Sequence, residues 1–285
     1  MKAETIARIE SKFRPYIVRV LPPKMVVSRY SRGRLEFLAR LKDEFLNIKY
    51  TPLKVLERKL WGVTFRSQIM NAAGMFKNGE CYEMVARQGA AAFLGGTGTW
   101  NGRVGKKEQG IYLPFVHYPV SHLSSNYLGL SNDGDVKNSE MASKIIRKEN
   151  CPVAWSVTGS PDLTGREKLE KLVAGMKLYE VVGVDLLEIN ESCPNTTYGR
   201  PQDDDLANRL IYVKEHFLDE RSIDGRTRPI PVVVKFSTDT EVEQVPFLLN
   251  LLFELGFDGV NFGNTSTDYG KRRRSIVPQE KKLYD

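Results

Sequence analysis

Side chains able to do chemistry gather at a few recurring places in this sequence, each at the end of a short apolar run. Asn71-Ala72-Ala73-Gly74-Met75-Phe76-Lys77 follows one run, and Gly95-Gly96-Thr97-Gly98-Thr99 ends another. A third ends in Asn190-Glu191-Ser192-Cys193-Pro194-Asn195-Thr196, and a fourth, at Gly259, closes in Asn264-Thr265-Ser266. Lys235 sits inside the apolar stretch Val232–Phe236. Neutral amides and hydroxyls predominate, which suits a planar polar heterocycle, because each amide offers both a donor and an acceptor. Gly74 and Gly96 would let backbone approach a flat ring closely. Lys77 and Lys235 could stabilise negative charge developing on that ring or on a carboxylate. Cys193 is the candidate proton acceptor, on a turn fixed by Pro194. No carboxylate pair for glycosidase-type catalysis is evident, and no Ser/His/Asp arrangement.

Each of these has a plainer reading. A lone cysteine is usually a small hydrophobe, but Cys193 is flanked by Asn190, Ser192 and Asn195. A lysine buried without a partner is costly, which favours a ligand contact for Lys235. Asn264-Thr265 could cap a helix, and Lys77-Asn78-Gly79-Glu80 could be a solvated turn. His117, His122 and His216 read as ordinary surface or core residues, and three cysteines and three histidines without ligand spacing make a dedicated zinc site improbable.

The elements that must position these residues alternate. Strand-like runs occur at 69–73, 91–95, 153–157, 185–190, 232–236 and 259–262, separated by helical patterns at 80–88, 135–148, 164–181, 203–218 and 240–255. Thr164 and Glu167 have the spacing of a capping box, and Gly256 reads as a helix stop. Strands alternating with helices imply a parallel sheet. At least six β/α units without a Gly-x-Gly-x-x-Gly after the first strand favour a (β/α)8 barrel over a dinucleotide-binding sheet. In a barrel all the named strand ends open onto one face, and the stretch 96–134 reads as a long loop over it.

Charge divides the chain differently. It has 285 residues with 42 Lys+Arg against 35 Asp+Glu, formal net charge +7. Residues 1–60 hold 15 basic and 6 acidic side chains, +9, and the other 225 hold 27 and 29, −2. A chain basic only at one end is not built to coat nucleic acid. The sparse, odd cysteine count fits a reducing compartment, and no apolar run reaches a membrane-spanning length. Within 1–60, Ile6, Ile9 and Phe13 and then Leu35, Leu38, Leu41 and Phe45 fall at helical spacing around Pro22-Pro23. Two basic amphipathic helices about a proline break would form a cap on the main domain, a peripheral contact with an anionic membrane through residues 1–50, or a mitochondrial presequence, against which Glu4 and Glu10 speak.

Taken together the motifs resemble the dihydroorotate dehydrogenase family. The resemblance rests on Trp61-Gly-Val-Thr-Phe-Arg-Ser67, Asn71 through Glu80, Gly96-Thr97-Gly-Thr99 and Asn126-Tyr-Leu-Gly-Leu-Ser-Asn132. Asn190 through Thr196, Val234-Lys235 and Gly259 through Thr265 complete it, in order from about residue 60 to 266. The Ala-Ala-Gly-x-x-Lys-x-Gly-Glu form and the extension look like the membrane-associated, quinone-reducing class. Cys193 looks like the soluble class, since the quinone class has serine there. Ser156 stands where the family usually has an asparagine touching the flavin, and Gly263 replaces a hydroxyl residue.

The resemblance implies FMN-dependent oxidation of dihydroorotate to orotate in pyrimidine synthesis. Cys193 would take the C5 proton while hydride passes from C6 to the flavin. The substrate positions it implies are Lys77, Asn126, Asn190, Asn195, Asn264 and Thr265, and the flavin positions are Ala73, Gly74, Thr97, Asn190 and Lys235. The acceptor would be a quinone, fumarate or NAD. Residues 1–60 are expected to be a helical extension, and 61–285 a barrel lacking its last two units, because the family continues with a Gly-Gly-x-Ser-Gly segment. The expected location is cytoplasmic, or peripheral on the inner face of a membrane. The alternatives are a non-catalytic barrel that binds a partner or membrane, and a flavin barrel acting on a related pyrimidine.

Overall fold

The computed structural model describes residues 2–44, 49–191, 205–223 and 228–285. In chain order the elements are α1 (Ala3–Val20), α2 (Pro23–Glu44), β1 (Arg58–Leu60), β2 (Val63–Phe65), α3 (Tyr82–Arg87) and β3 (Phe93–Gly98). Then come β4 (Lys107–Glu108), β5 (Ile111–Tyr112), β6 (Phe115–Tyr118), β7 (Leu123–Asn126), α4 (Asp135–Ser143), β8 (Val153–Val157), α5 (Gly165–Val181) and β9 (Leu186–Asn190). The chain continues with α6 (Leu206–His216), β10 (Val232–Ser237), α7 (Val245–Glu254), β11 (Gly259–Asn264), α8 (Tyr269–Arg274) and α9 (Pro278–Tyr284).

Contacts sort these into two compact units that interleave along the chain. One comprises 1–47, 105–129 and 266–285, and the other 48–104 and 130–265. The change of charge at residue 60 and the grouping by contact are therefore different divisions.

The smaller unit holds α1, α2, the antiparallel hairpins β4–β5 and β6–β7, α8 and α9. Its core is Val18, Val26, Val116, Tyr118, Ile276 and Leu283. Buried Glu280 receives the backbone N–H groups of Val120 and Ser121, both at 3.0 Å, so a carboxylate ties α9 to the β6–β7 turn. The stretch 96–134 is accordingly no plain loop. It carries both hairpins, because alternation at Phe115-Val116-His117-Tyr118 lets one face meet α2, where Ser31 Oγ accepts from Phe115 N at 2.9 Å.

In the larger unit β3, β8, β9, β10 and β11 form one parallel sheet in the order β11-β10-β9-β8-β3, with helices α4 to α7 in the connections. Register assigns the faces. Leu94, Ala154 and Leu186 share one face and cluster with Trp61, Met70, Ala73 and Val233. One step further along the strands the same face carries Ser156 and Glu188, and at the next step Asn190, Lys235 and Asn261. The interior is thus apolar at the strand beginnings and polar toward the strand ends, as in a barrel filled by layers of side chains. On the opposite face Trp155 stacks on Tyr179 of α5, ring centroids 5.2 Å apart.

Three expectations are corrected. Residues 69–73 form no strand. They run beside β3, but Asn71 meets it through its side chain, Nδ2 donating to Leu94 O at 2.7 Å and Oδ1 accepting from Leu94 N at 3.0 Å. One amide thereby replaces a ladder step. The strand expected to stop at Gly95 continues to Gly98, with a register shift against β8 between those residues. Thr164 does occupy the N-cap of α5, yet its side chain makes no capping hydrogen bond. Asn71→Leu strips Leu94 of both partners, and whole-chain stability in urea should fall by about 2–4 kcal/mol.

Candidate active site

The polar layer is connected from strand to strand. Thr97 Oγ1 on β3 and Ser156 Oγ on β8 lie 3.0 Å apart, and Asn190 Nδ2 on β9 donates to Thr97 Oγ1 at 3.2 Å. Asn264 Nδ2 on β11 then donates to Asn190 Oδ1 at 2.8 Å. Thr158 Oγ1 donates to the Asn190 carbonyl at 2.8 Å. Thr97, Ser156 and Asn190 are buried. Four strands are thus joined by one line of hydroxyls and amides, and Asn190 is its centre.

Lys235 lies in register with Asn190 and with Asn261. Its ammonium is paired inside the protein with the Glu188 carboxylate, Nζ to Oε1 2.6 Å, and the side chains are 8% and 6% exposed. The other carboxylate oxygen accepts from Asn261 Nδ2 at 3.0 Å. A buried cation was legible in the sequence, but its anionic partner was overlooked. The available signal was the lone carboxylate in Leu186-Leu187-Glu188-Ile189, two residues before Asn190 and so on the same face.

The loop 71–80 is anchored, not a freely solvated turn. Glu80 accepts from the backbone N–H groups of Lys77 at 3.1 Å and Asn78 at 2.7 Å. Gly96 N donates to Lys77 O at 2.9 Å, and Gly74 N donates to Gly96 O at 2.7 Å. Lys77 Nζ donates to Ser131 Oγ at 3.0 Å. Gly96 has φ +87°, and a Cβ there would collide with the Ser156 carbonyl oxygen. At Gly74, φ +92°, a Cβ would meet open space.

The expected site residues are therefore distributed as follows. Thr97, Asn190, Lys235 and Asn264 meet in the polar layer, while Gly74 and Lys77 reach β3 through Gly96. Ala73 packs on the apolar cluster below. Thr265 is exposed, and its N–H donates to Asn264 Oδ1 at 2.8 Å. Asn126, at the end of β7 and in register with Phe115, belongs to the smaller unit. Cys193 and Asn195 lie outside the described residues. Of the other thiols, Cys151 is fully buried, and burial pushes it up to about 11, which makes it a core residue and no nucleophile.

The donor set has the chemistry a flavin ring would need. Open backbone at Gly74 offers a surface that a side chain would fill. The polar layer supplies two hydroxyls, two amides and an ammonium, the donors and acceptors that the carbonyl and nitrogen edge of an isoalloxazine would need. The residues present fit the ring.

Beneath β3 lies a second buried group. Asp135, the first residue of α4, donates its N–H to Thr99 O at 2.9 Å, and its carboxyl accepts from Tyr179 OH at 2.9 Å. Burial pushes this carboxyl up to about 7, against a partial offset from the Tyr179 hydrogen bond. A raised carboxyl is neutral in the folded chain while the unfolded chain ionises near 3.8. Stability should fall as pH climbs from about 4 to about 7 and level off above, by about 4 kcal/mol at most. Asp135→Asn should remove this part of the pH dependence, read as a smaller difference between urea midpoints at pH 4.5 and 7.5.

Comparison with known proteins gives a consistent picture. The family model described as dihydroorotate dehydrogenase matches residues 55–281. The dihydroorotate dehydrogenase (quinone) of Enterobacter sp. (strain 638) is 26% identical over 260 residues, 82% of this chain and 69% of that one. That of Dichelobacter nodosus (strain VCS1703A) is 26% identical over 213 residues, 73% of this chain and 60% of that one. The chain thus spans 60–69% of the length of these two curated relatives. Among solved structures, ligand-free DHODH from Eimeria tenella superposes with TM-score 0.70 at 20% identity, covering 84% of this chain and 70% of that one. The same enzyme in complex with ferulenol gives 0.71 at 19%, covering 82% and 66%. These likenesses identify the fold as the (β/α)8 TIM-barrel type.

Proposed function

We propose, from the premise that this chain belongs to the dihydroorotate dehydrogenase family, that it oxidises dihydroorotate to orotate with FMN, in pyrimidine synthesis. The observation that carries the reading is the line Ser156–Thr97–Asn190–Asn264, buried as far as Asn190, with the Lys235 ammonium beside Asn190 in the sheet. FMN, when bound, supplies the acceptor for the C6 hydride. Thr97, Asn190 and Lys235 would hold the ring edge, and Gly74 would admit its face. Lys77, Asn126, Asn190, Asn195, Asn264 and Thr265 would orient the substrate carboxylate and amides. Cys193 would accept the C5 proton, so that the C5–H and C6–H bonds break and the C5=C6 bond forms.

A quinone as the electron acceptor is supported by the curated relatives, which are dihydroorotate dehydrogenases (quinone). Peripheral membrane contact through residues 1–50, on the inner face of a membrane, is supported by α1. Ile9, Phe13, Tyr16 and Val20 follow one helical face and stay exposed, Val20 at 76%, on a strongly basic segment. No helix among the described residues is long and apolar enough to cross a membrane.

Three measurements test this reading. The purified chain, as isolated or after adding FMN, should show flavin absorbance at about one per chain, whereas a folded protein that takes up no flavin would exclude it. Cys193→Ser should slow flavin reduction by dihydroorotate about 10²-fold or more at pH 7. It should also abolish the rate increase toward the thiol range near ~8.5. An unchanged rate and profile would remove Cys193 as the base. Deleting residues 1–50 should release the protein from anionic vesicles and lower quinone reduction, while leaving flavin reduction by dihydroorotate intact.

A further inference from the structure

The buried cation of the proposed flavin site comes with a buried anion, and no part of the proposed reaction uses it. Glu188 is enclosed on both oxygens. Oε1 takes the Lys235 ammonium at 2.6 Å and Oε2 takes Asn261 Nδ2 at 3.0 Å. The residues opposite it in the sheet are Ser156 on β8 and Val233 on β10. Cohesion alone does not account for such a pair. Desolvating both charges cancels most of their attraction, and two apolar side chains of similar volume would hold the strands as well. What apolar residues could not supply is a fixed ammonium with a defined direction and a partly neutralised charge.

We propose that Glu188 is a positioning residue of the flavin site, acting through Lys235 on the charge felt by the bound ring. This rests on the flavin reading above. Glu188 engages one of the ammonium's three N–H groups and so orients the others. It also sets a negative charge against the cation inside a poorly screened interior. A flavin bound there would gain negative charge on reduction by the substrate. A bare ammonium would favour that state strongly, and Glu188 moderates the preference. Electrons then leave more readily to the acceptor, so the carboxylate balances the two half-reactions.

Glu188→Gln keeps the shape and the acceptor toward Lys235 while removing the charge. The ratio of dissociation constants for oxidised and reduced FMN should rise by about tenfold or more, and the midpoint potential of bound flavin should rise with it. An unchanged ratio, or a lower potential, would overturn the inference. Should this variant not accumulate as folded protein, Glu188→Leu combined with Lys235→Met removes both charges and strands neither. Its flavin potential should then fall below that of the unaltered protein, because the incompletely screened cation is gone. A potential equal to that of the unaltered protein would show that the pair does not act on the ring. Unaltered protein that binds no FMN would fail the functional reading itself, whereas bound FMN with unshifted potentials would fail only the role of Glu188.

Discussion

A lysine and a glutamate buried 2.6 Å apart inside a parallel sheet constrain what can surround them. Neither charge can sit in that interior alone. The pair holds β9 and β10 in one register, since a slip of one residue would send either side chain to the helix-covered face. That register in turn places Asn190 opposite Lys235 and Glu188 opposite Val233, while the register of β9 on β8 places Glu188 opposite Ser156. The hydroxyl-amide line through Thr97 and Asn264 follows, because their strands pair with β8 and β10.

The rest of the larger unit reads as support for this polar layer. Leu94, Ala154 and Leu186, with Trp61 and Met70, fill the interior at the strand beginnings. Apolar packing there and polar packing at the other end give the interior a direction. On the outer face Trp155 lies over Gly95, where a Cβ would press into its ring, and stacks on Tyr179. Tyr179 in turn donates to Asp135, whose backbone holds Thr99. The Gly-Thr-Gly-Thr segment is therefore fixed from both faces, by Ser156 and Asn190 inside and by Asp135 outside.

Much of this was legible without a structure. Five of the six apolar runs are strands of the parallel sheet, and the polar strand ends Thr97, Asn190 and Asn264 meet as a barrel requires. Lys235 was recognisable because a cation inside Val-Val-Val-Lys-Phe violates the pattern around it. Glu188 violates its own run in the same way, but the adjacent Asn190-Glu-Ser-Cys motif masks that signal. Asn71 misled for a specific reason. A side-chain amide can imitate a backbone ladder step, and apolar neighbours cannot reveal whether backbone or side chain makes the bonds.

The sequence by itself determined the alternation of strands and helices, the supply of amides, hydroxyls and lysines at the strand ends, and the basic apolar-striped helices at the start. These are local properties, set by side-chain period and by the residues that end each run. Only the tertiary structure decided that Lys235 meets Glu188 across 47 residues and that Asn190 meets Thr97 across 93. It also decided that 105–129 and 266–285 group with the first helices. Such pairings depend on strand register and on which apolar faces bury one another, and neither is written in the neighbourhood of any single residue.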